Sequence, residues 1–415
     1  MRIDTSKIWM VDISKLYLIK KDSLAKWLFI IGAGISYFAT LRPWFLWSIG
    51  NIHMVLASIF MIASMSISVT LRKPLFNNNL FLIPTLACTV LFFYERLFHE
   101  TNLSGYIGTF FNVFLFYSLY RVNPRIIQET TTVIAKVLAS FLAVSLACFF
   151  LYLMGVPFPG YDLQFGEDFY SFTNHYLFMI DDRSLFSVFP RFQSVCLEPS
   201  HLGTACAVLL QCQRNKWKKW YNIVLLASTI FSFSLGAYAY LSVIVFLNLW
   251  INRKRIFAKV LILISLILTT IIGSFYYNNG ENLLHDLIIL RLEIDEGELS
   301  GNNRTSIDFD KEFESYLKSD DILKGRELKD DLGNSGYKVY IYRYGIIGLV
   351  LMLSFLMITL KGSKNSRAGI SALTVALLIF GVDAFVTWFC RYLPLYATAT
   401  QEADETTNAK QSNTR

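Results

Sequence analysis

Apolar runs of about 18 or more residues recur along the chain, each long enough to cross a ~30 Å hydrocarbon layer. They lie near 24–41, 44–70, 80–98, 105–120, 131–155, 194–212, 257–276, 337–360 and 370–392. Charged residues make up only 17% of the 415 residues. A soluble domain carries about 25%, so a soluble globular protein is excluded. No Gly-X-Y period or sustained heptad is present, which removes the fibrous classes. The fold class expected is all-α: a polytopic integral membrane protein with 11 or 12 transmembrane helices, forming a single membrane domain over 1–415.

The formal charge of +7 suggests nucleic acid, but its distribution argues against that partner. The cations gather in short clusters between apolar runs. These are Arg2/Lys7/Lys15/Lys20/Lys21, Arg72/Lys73, Arg121/Arg125, Arg214/Lys216/Lys218/Lys219, Arg253/Lys254/Arg255 and Lys361/Lys364/Arg367. The positive-inside rule assigns such clusters to the cytoplasm. All six fit there only if the apolar segment 220–251 turns back as two short helices, with a re-entrant tip near Ser234–Gly236. Irregular backbone at membrane depth is tolerated where it is buried in protein or lines a wet cavity. Residues 1–23 then form a cytoplasmic leader, 156–193 and the large loop 277–336 face the far side, and 398–415 form a disordered tail. The large loop carries 15 acidic residues against seven basic ones, in keeping with an external position.

The six cysteines fall in or beside apolar runs without a CxxC, so neither a disulfide framework nor a zinc site is expected. No phosphate-cradling glycine loop, HExxH, GxSxG or DxD-like signature appears. No metal and no cofactor are expected, and any reaction must use a preactivated substrate on the external face.

Three stretches carry candidate chemistry. The first runs from Phe189 to Gly203 and holds Arg191, Glu198, Pro199 and His201. Pro199 suits the first turn of a helix, which leaves Glu198 at the positive end of the helix dipole. Charged groups at membrane depth are site candidates by default, set against plain anchoring for Arg191 and plain capping for Glu198. The second lies in the large loop, with Arg304 in Gly301–Ser306 and Arg326 after Leu323-Lys324-Gly325. A lone arginine in an acidic loop is most often a solvated surface residue. The third is Asn334-Ser335-Gly336-Tyr337, followed by Arg343-Tyr344-Gly345-Ile346-Ile347-Gly348. Its tyrosines read either as a sugar-stacking surface or as an interfacial aromatic belt.

In this order the stretches resemble the Wzy-type O-antigen polymerases and, more distantly, the O-antigen ligases of the bacterial inner membrane. The most specific element is R-F-x-S-x-x-x-E-P-S-x-x-G, here Arg191 to Gly203. The Ser232–Ala237 turn, with Ser234 at its centre, matches the re-entrant S-x-S-x-G-A of the group, although many members have Arg at the place of Leu235. Several members carry a His where this chain reads Gly333-Asn334. The resemblance implies metal-independent, inverting glycosyl transfer in the periplasmic leaflet. Donor and acceptor are then undecaprenyl-pyrophosphate-linked oligosaccharides, within membrane lipids and with a chain-length regulator protein as a possible partner. Guanidinium groups bind phosphate bidentately and stay charged, which points to Arg191 and Arg304 for the leaving pyrophosphate, with Arg326 and Arg343 in reserve. Glu198, with His201 one turn on, is the base expected for the attacking hydroxyl. Asn334 and Tyr337 are expected to orient the sugars, and Ser234 to belong to the substrate-binding set. A ligase acting on lipid A core, and a lipid-linked oligosaccharide flippase without chemistry, remain open. The flippase predicts paired repeats, and the chain has no visible internal repeat.

Overall fold

Asn123 and Pro124 show how an apolar run becomes a bounded helix. The Asn123 side chain accepts a hydrogen bond from the Arg125 amide at 3.0 Å, and Pro124 occupies a first-turn position where its missing N–H costs nothing. From there α5 (Pro124–Leu153) runs unbroken for 30 residues. The computed structural model describes residues 13–50, 52–69, 75–76, 78–98, 103–166, 170–182, 189–214, 216–251, 256–277, 294–295, 298–299, 307–327, 336–361 and 366–401.

Before α5 come α1 (Ile13–Thr40), α2 (Ile52–Val69), α3 (Leu82–Arg96) and α4 (Leu103–Arg121). After it come α6 (Pro199–Cys212), α7 (Trp220–Phe231), α8 (Leu235–Ile251), α9 (Ile256–Tyr276), α10 (Ile307–Leu317), α11 (Tyr337–Leu360), α12 (Ser366–Val382) and α13 (Phe389–Ala399). Among the described residues, four helices are long and apolar enough to cross a membrane: Lys21–Thr40 of α1, and α2, α5 and α11. The outer face of α2 exposes Ile52, Val55, Leu56, Ile59 and Ile62. A continuous apolar face of this kind suits hydrocarbon and is unusual in water.

At the centre lies α13, every residue of which is buried. It packs against α1, α5, α6, α11 and α12. Tyr392 stacks on Phe355 with ring centroids 5.3 Å apart, and its hydroxyl meets that of Tyr120 at 2.8 Å. The Gln128 amide donates to the Ala397 carbonyl near the end of the helix. A short, proline-containing helix is stable here because its neighbours, not its own propensity, hold it.

The structure bears on several expectations. The chain is mostly helical, with few strands. The loop 156–193 contains an antiparallel meander of β1 (Tyr161–Phe165), β2 (Tyr170–Asn174) and β3 (Met179–Asp181), and the large loop holds the short pair β4 (Ile294–Asp295) and β5 (Glu298–Leu299). Of the two readings behind the count of 11 or 12, one span or two half-spans over 370–397, the structure has two helices, since α12 stops at Val382 and α13 begins at Phe389. The helix α13 runs to Ala399, two residues into the stretch 398–415 expected as a disordered tail, and beyond it Gln401 Nε2 donates to the Cys212 carbonyl at 2.6 Å. Segment 220–251 forms two short helices, α7 and α8, on either side of Ser232–Ser234.

Two glycines fasten the large loop to the helices. Gly325 (φ +89°) and Gly345 (φ +67°) bring the loop backbone against a kink in α11. A Cβ on Gly345 would lie 2.2 Å from the Leu323 carbonyl oxygen, and one on Gly325 2.3 Å from that of Arg343. The Arg326 amide closes the joint by donating to the Tyr342 carbonyl at 2.7 Å. The Leu-Lys-Gly and Tyr-Gly sequence elements are thus two halves of one packing contact.

Gly345→Ala should therefore destabilise the protein by about 1–3 kcal/mol, because both the backbone conformation and the contact exclude a side chain. Gly34→Ala, where an added Cβ meets nothing within 4 Å, should be neutral or stabilising. Thermal unfolding of the two variants in detergent, followed by intrinsic fluorescence, checks the contrast.

Candidate functional site

The motif Arg191–Gly203 is threaded between three other elements. The Phe192 amide donates to the Phe231 carbonyl at 2.9 Å, and Arg191 Nε donates to the Ser232 carbonyl at 3.2 Å, which ties the motif to the α7–α8 tip. Ser194 adopts a positive φ of 53°, and its hydroxyl meets that of Ser145 at 2.9 Å. A non-glycine residue in that region is held there by its surroundings. Pro43 and Cys196 form an antiparallel bridge, flanked by bonds from Trp44 N to the Val195 carbonyl (3.0 Å) and from Leu197 N to the Arg42 carbonyl (3.2 Å). A Cβ on Gly203 would lie 2.7 Å from both Ala237 Cβ and Ser232 Oγ, so the glycine lets α6 close on the tip. Two motifs far apart in sequence therefore meet.

Glu198 precedes α6 in extended conformation, as Pro199 requires of its predecessor. Its carboxylate accepts from Ser200 Oγ at 2.7 Å and lies 3.9 Å from His201 Nε2. The His201 ring packs edge-on against Trp388 at 5.2 Å. Trp388 is the hub of the region: Phe385 stacks on it at 4.6 Å, and the guanidinium groups of Arg42 and Arg391 lie 4.7 and 5.3 Å from its ring centroid. Arg391 is 1% exposed and bonds Asp383 at 2.6 Å.

Beyond Trp388 opens a cavity of about 720 Å³, bounded by the ends of α1, α2, α3 and α11, by the middle of α4 and by Phe385–Trp388. Its polar walls include Arg42, His53, Glu95, Arg96, Asn112, Tyr340 and Arg343. Tyr340 donates its hydroxyl to Glu95 Oε1 at 2.7 Å, and Arg343 adds its positive field there. Arg96 occupies the space a side chain on Gly105 would need and lies 5.8 Å from the Tyr106 ring centroid. Three guanidinium groups against one carboxylate give the cavity a positive excess that suits an anion, and the rings of Trp47, Phe385 and Trp388 line it as well.

The sequence candidates are thus divided. Arg343 lines the cavity; Glu198 and His201 stand next to its Trp388 wall; Arg191 and Ser234 belong to the tip, where Ser234 Oγ caps the start of α8 by accepting from Ala237 N at 3.4 Å. Arg326 is on the loop surface, paired with Asp321 at 2.8 Å, and is not among the cavity residues. Tyr337 is exposed at the start of α11. Arg304 and Asn334 lie outside the described residues. Sequence reasoning missed Arg42, Glu95, Arg96, Asp383 and Arg391. Asp383 and Arg391 carried a readable signal, two charges inside a run taken as membrane-spanning.

Comparison with family models, with curated proteins and with solved structures finds no match to this chain.

Breaking the buried pair should be costly. Asp383→Asn leaves the Arg391 charge uncompensated and should destabilise the protein by about 3–5 kcal/mol. Adding Arg391→Met in the same chain should recover much of that loss. Melting temperatures of the single and double variants decide, and equal losses in both would show that the pair is not the cause.

Proposed function

We propose that this chain is a membrane glycosyltransferase of the O-antigen polymerase type. It joins oligosaccharide repeat units carried on undecaprenyl pyrophosphate at the periplasmic face of the inner membrane, without a metal. The observation that carries the reading is the cavity lined by Arg42, Arg96 and Arg343, with a carboxylate and an aromatic wall in the same space. Its position agrees. The lining residues sit towards the C-terminal ends of α1 and α3 and the N-terminal ends of α2 and α11, with Thr109, Asn112 and Leu115 from the middle of α4. The basic clusters 72–73, 121–125 and 361–367 mark the opposite ends of α2, α4 and α11. With those clusters inside, the cavity faces the periplasm, as do the β1–β3 meander and the large loop. The full set of 11 or 12 spans, with α7 and α8 as a re-entrant hairpin, belongs to the same proposal.

The chemistry follows from the donor set. An acceptor hydroxyl attacks the anomeric carbon of the donor glycan from the face opposite the pyrophosphate. The C–O bond to the pyrophosphate breaks, and configuration inverts. The developing charge on the leaving group is met by the cavity arginines, whose planar forks match phosphate oxygens. Glu95 is the carboxylate that lines the cavity and takes the hydroxyl proton, with Tyr340 fixing its orientation. Glu198, held by Ser200 and beside His201, is the second candidate base. Arg191 sets the tip, and Arg304 is the further phosphate contact that the motif suggests.

Purified protein given one synthetic lipid-linked repeat unit should produce a ladder of glycan lengths, and should do so in EDTA. Arg343→Ala should slow it about 10- to 1000-fold, while Arg343→Lys recovers part of the rate because charge survives without the fork. Arg326→Ala and Lys311→Ala, on the loop surface, should change little. Equal effects at Arg343 and Lys311, or rescue of an EDTA-treated enzyme by magnesium, count against the proposal.

A further inference from the structure

A second, almost wholly apolar groove of about 640 Å³ runs beside the arginine-lined cavity. Its walls come from α1 (Trp27, Ile31, Gly34), from the start of α2 and the turn before it (Ile49, Leu56), and from α5 (Val137). Trp27, Ile31, Leu56 and Val137 are exposed, so the groove opens on the outer surface of the helices. The two spaces adjoin: Ala39, Leu46 and His53 line both. Across this shared border the wall changes from aliphatic side chains to a lining that includes Arg42, Glu95, Arg96 and Arg343. From Trp27 to Ala39 the groove follows roughly 18 Å of α1 at 1.5 Å per residue.

An ordinary membrane-facing groove has no cationic chamber at one end, and a soluble anion needs no apolar channel. The pair of spaces fits a ligand that is both, with a long flexible hydrocarbon joined to a multiply charged anionic head. We propose that the α1–α2–α5 groove seats the isoprenoid chain of a polyprenyl diphosphate whose diphosphate lies in the cavity against Arg42 and Arg96. The inference rests on the polymerase reading for its choice of lipid and extends it by locating the lipid tail, which no sequence motif indicated. The apolar walls bind the chain by removing its methylenes and methyls from the surrounding lipid into a shaped contact, and the guanidinium groups select the head by charge. Gly34 is the sensitive point. An added Cβ there meets nothing within 4 Å, so a larger side chain enters the groove without disturbing the helix packing.

The test uses full-length protein in detergent and undecaprenyl diphosphate as the probe, with binding followed by native mass spectrometry. Inorganic pyrophosphate serves as the head alone and phosphatidylglycerol as the competing membrane lipid. Gly34→Leu should weaken undecaprenyl diphosphate binding about 10-fold or more and leave pyrophosphate binding unchanged, since a few methylenes lose their seat while the head keeps its own. Arg96→Gln should weaken both. Ile31→Trp, from the same wall, repeats the groove test with a second variant. Unchanged binding of undecaprenyl diphosphate to Gly34→Leu and Ile31→Trp overturns the proposal, as does equally tight binding of phosphatidylglycerol that is lost in the same variants. The two readings separate cleanly. A glycan ladder unaffected by Gly34→Leu sinks the groove assignment and spares the polymerase. Groove-dependent lipid binding with no ladder from any lipid-linked repeat does the reverse.

Discussion

The Arg391–Asp383 ion pair is the interaction on which the arrangement of the site depends. Arg391 belongs to the fully buried α13, Asp383 to the turn that follows α12, and the bond between them is 2.6 Å. A guanidinium kept from water needs a partner, and Asp383 supplies the carboxylate. That requirement fixes the start of α13. Trp388, one turn earlier in the approach, is then set between Arg42 and Arg391, with Phe385 on its face and His201 at its edge. The wall of the cavity, the position of α6 and the seat of Glu198 all follow from that one buried charge.

Close backbone approach is the second constraint. Gly203 admits the Ser232–Ala237 tip to α6, and Gly325 with Gly345 admits the large loop to α11. In each case two stretches that stand out in the sequence are the two sides of one contact. Their glycines serve packing, and they position the charged residues next to them without touching a substrate. Arg343 follows this logic: it lies two residues before the Gly345 kink and faces the cavity with Glu95 and Tyr340.

Helices were legible in the sequence because an apolar run of that length has few alternatives, and the break between α7 and α8 was legible because Ser232, Ser234 and Gly236 interrupt such a run. The meander was not. Tyr161–Phe165 and Tyr170–Asn174 are short, and their apolar positions are few beside the long runs around them. Arg42, Glu95 and Arg96 were passed over because charges at the edge of an apolar run read as topological markers, and the sequence carries no sign that three such edges converge. Arg326 was over-read for the opposite reason: it follows a motif glycine, but the motif is a packing joint and the side chain bonds Asp321 on the surface. Pairing in space separates these cases, and spacing along the chain does not contain it.

The central claim is that one lipid-linked glycan diphosphate occupies the cavity and the groove together. Leu46 borders both spaces, which makes it the most direct place to look. A photoreactive phenylalanine analogue placed at Leu46, irradiated in membranes with a radiolabelled lipid-linked repeat unit, should crosslink to the labelled lipid, and excess unlabelled undecaprenyl diphosphate should suppress the adduct. The same analogue at Lys311, on the loop surface, should give none. Labelling at Lys311 equal to that at Leu46, or an adduct at Leu46 that unlabelled lipid fails to reduce, would contradict the account.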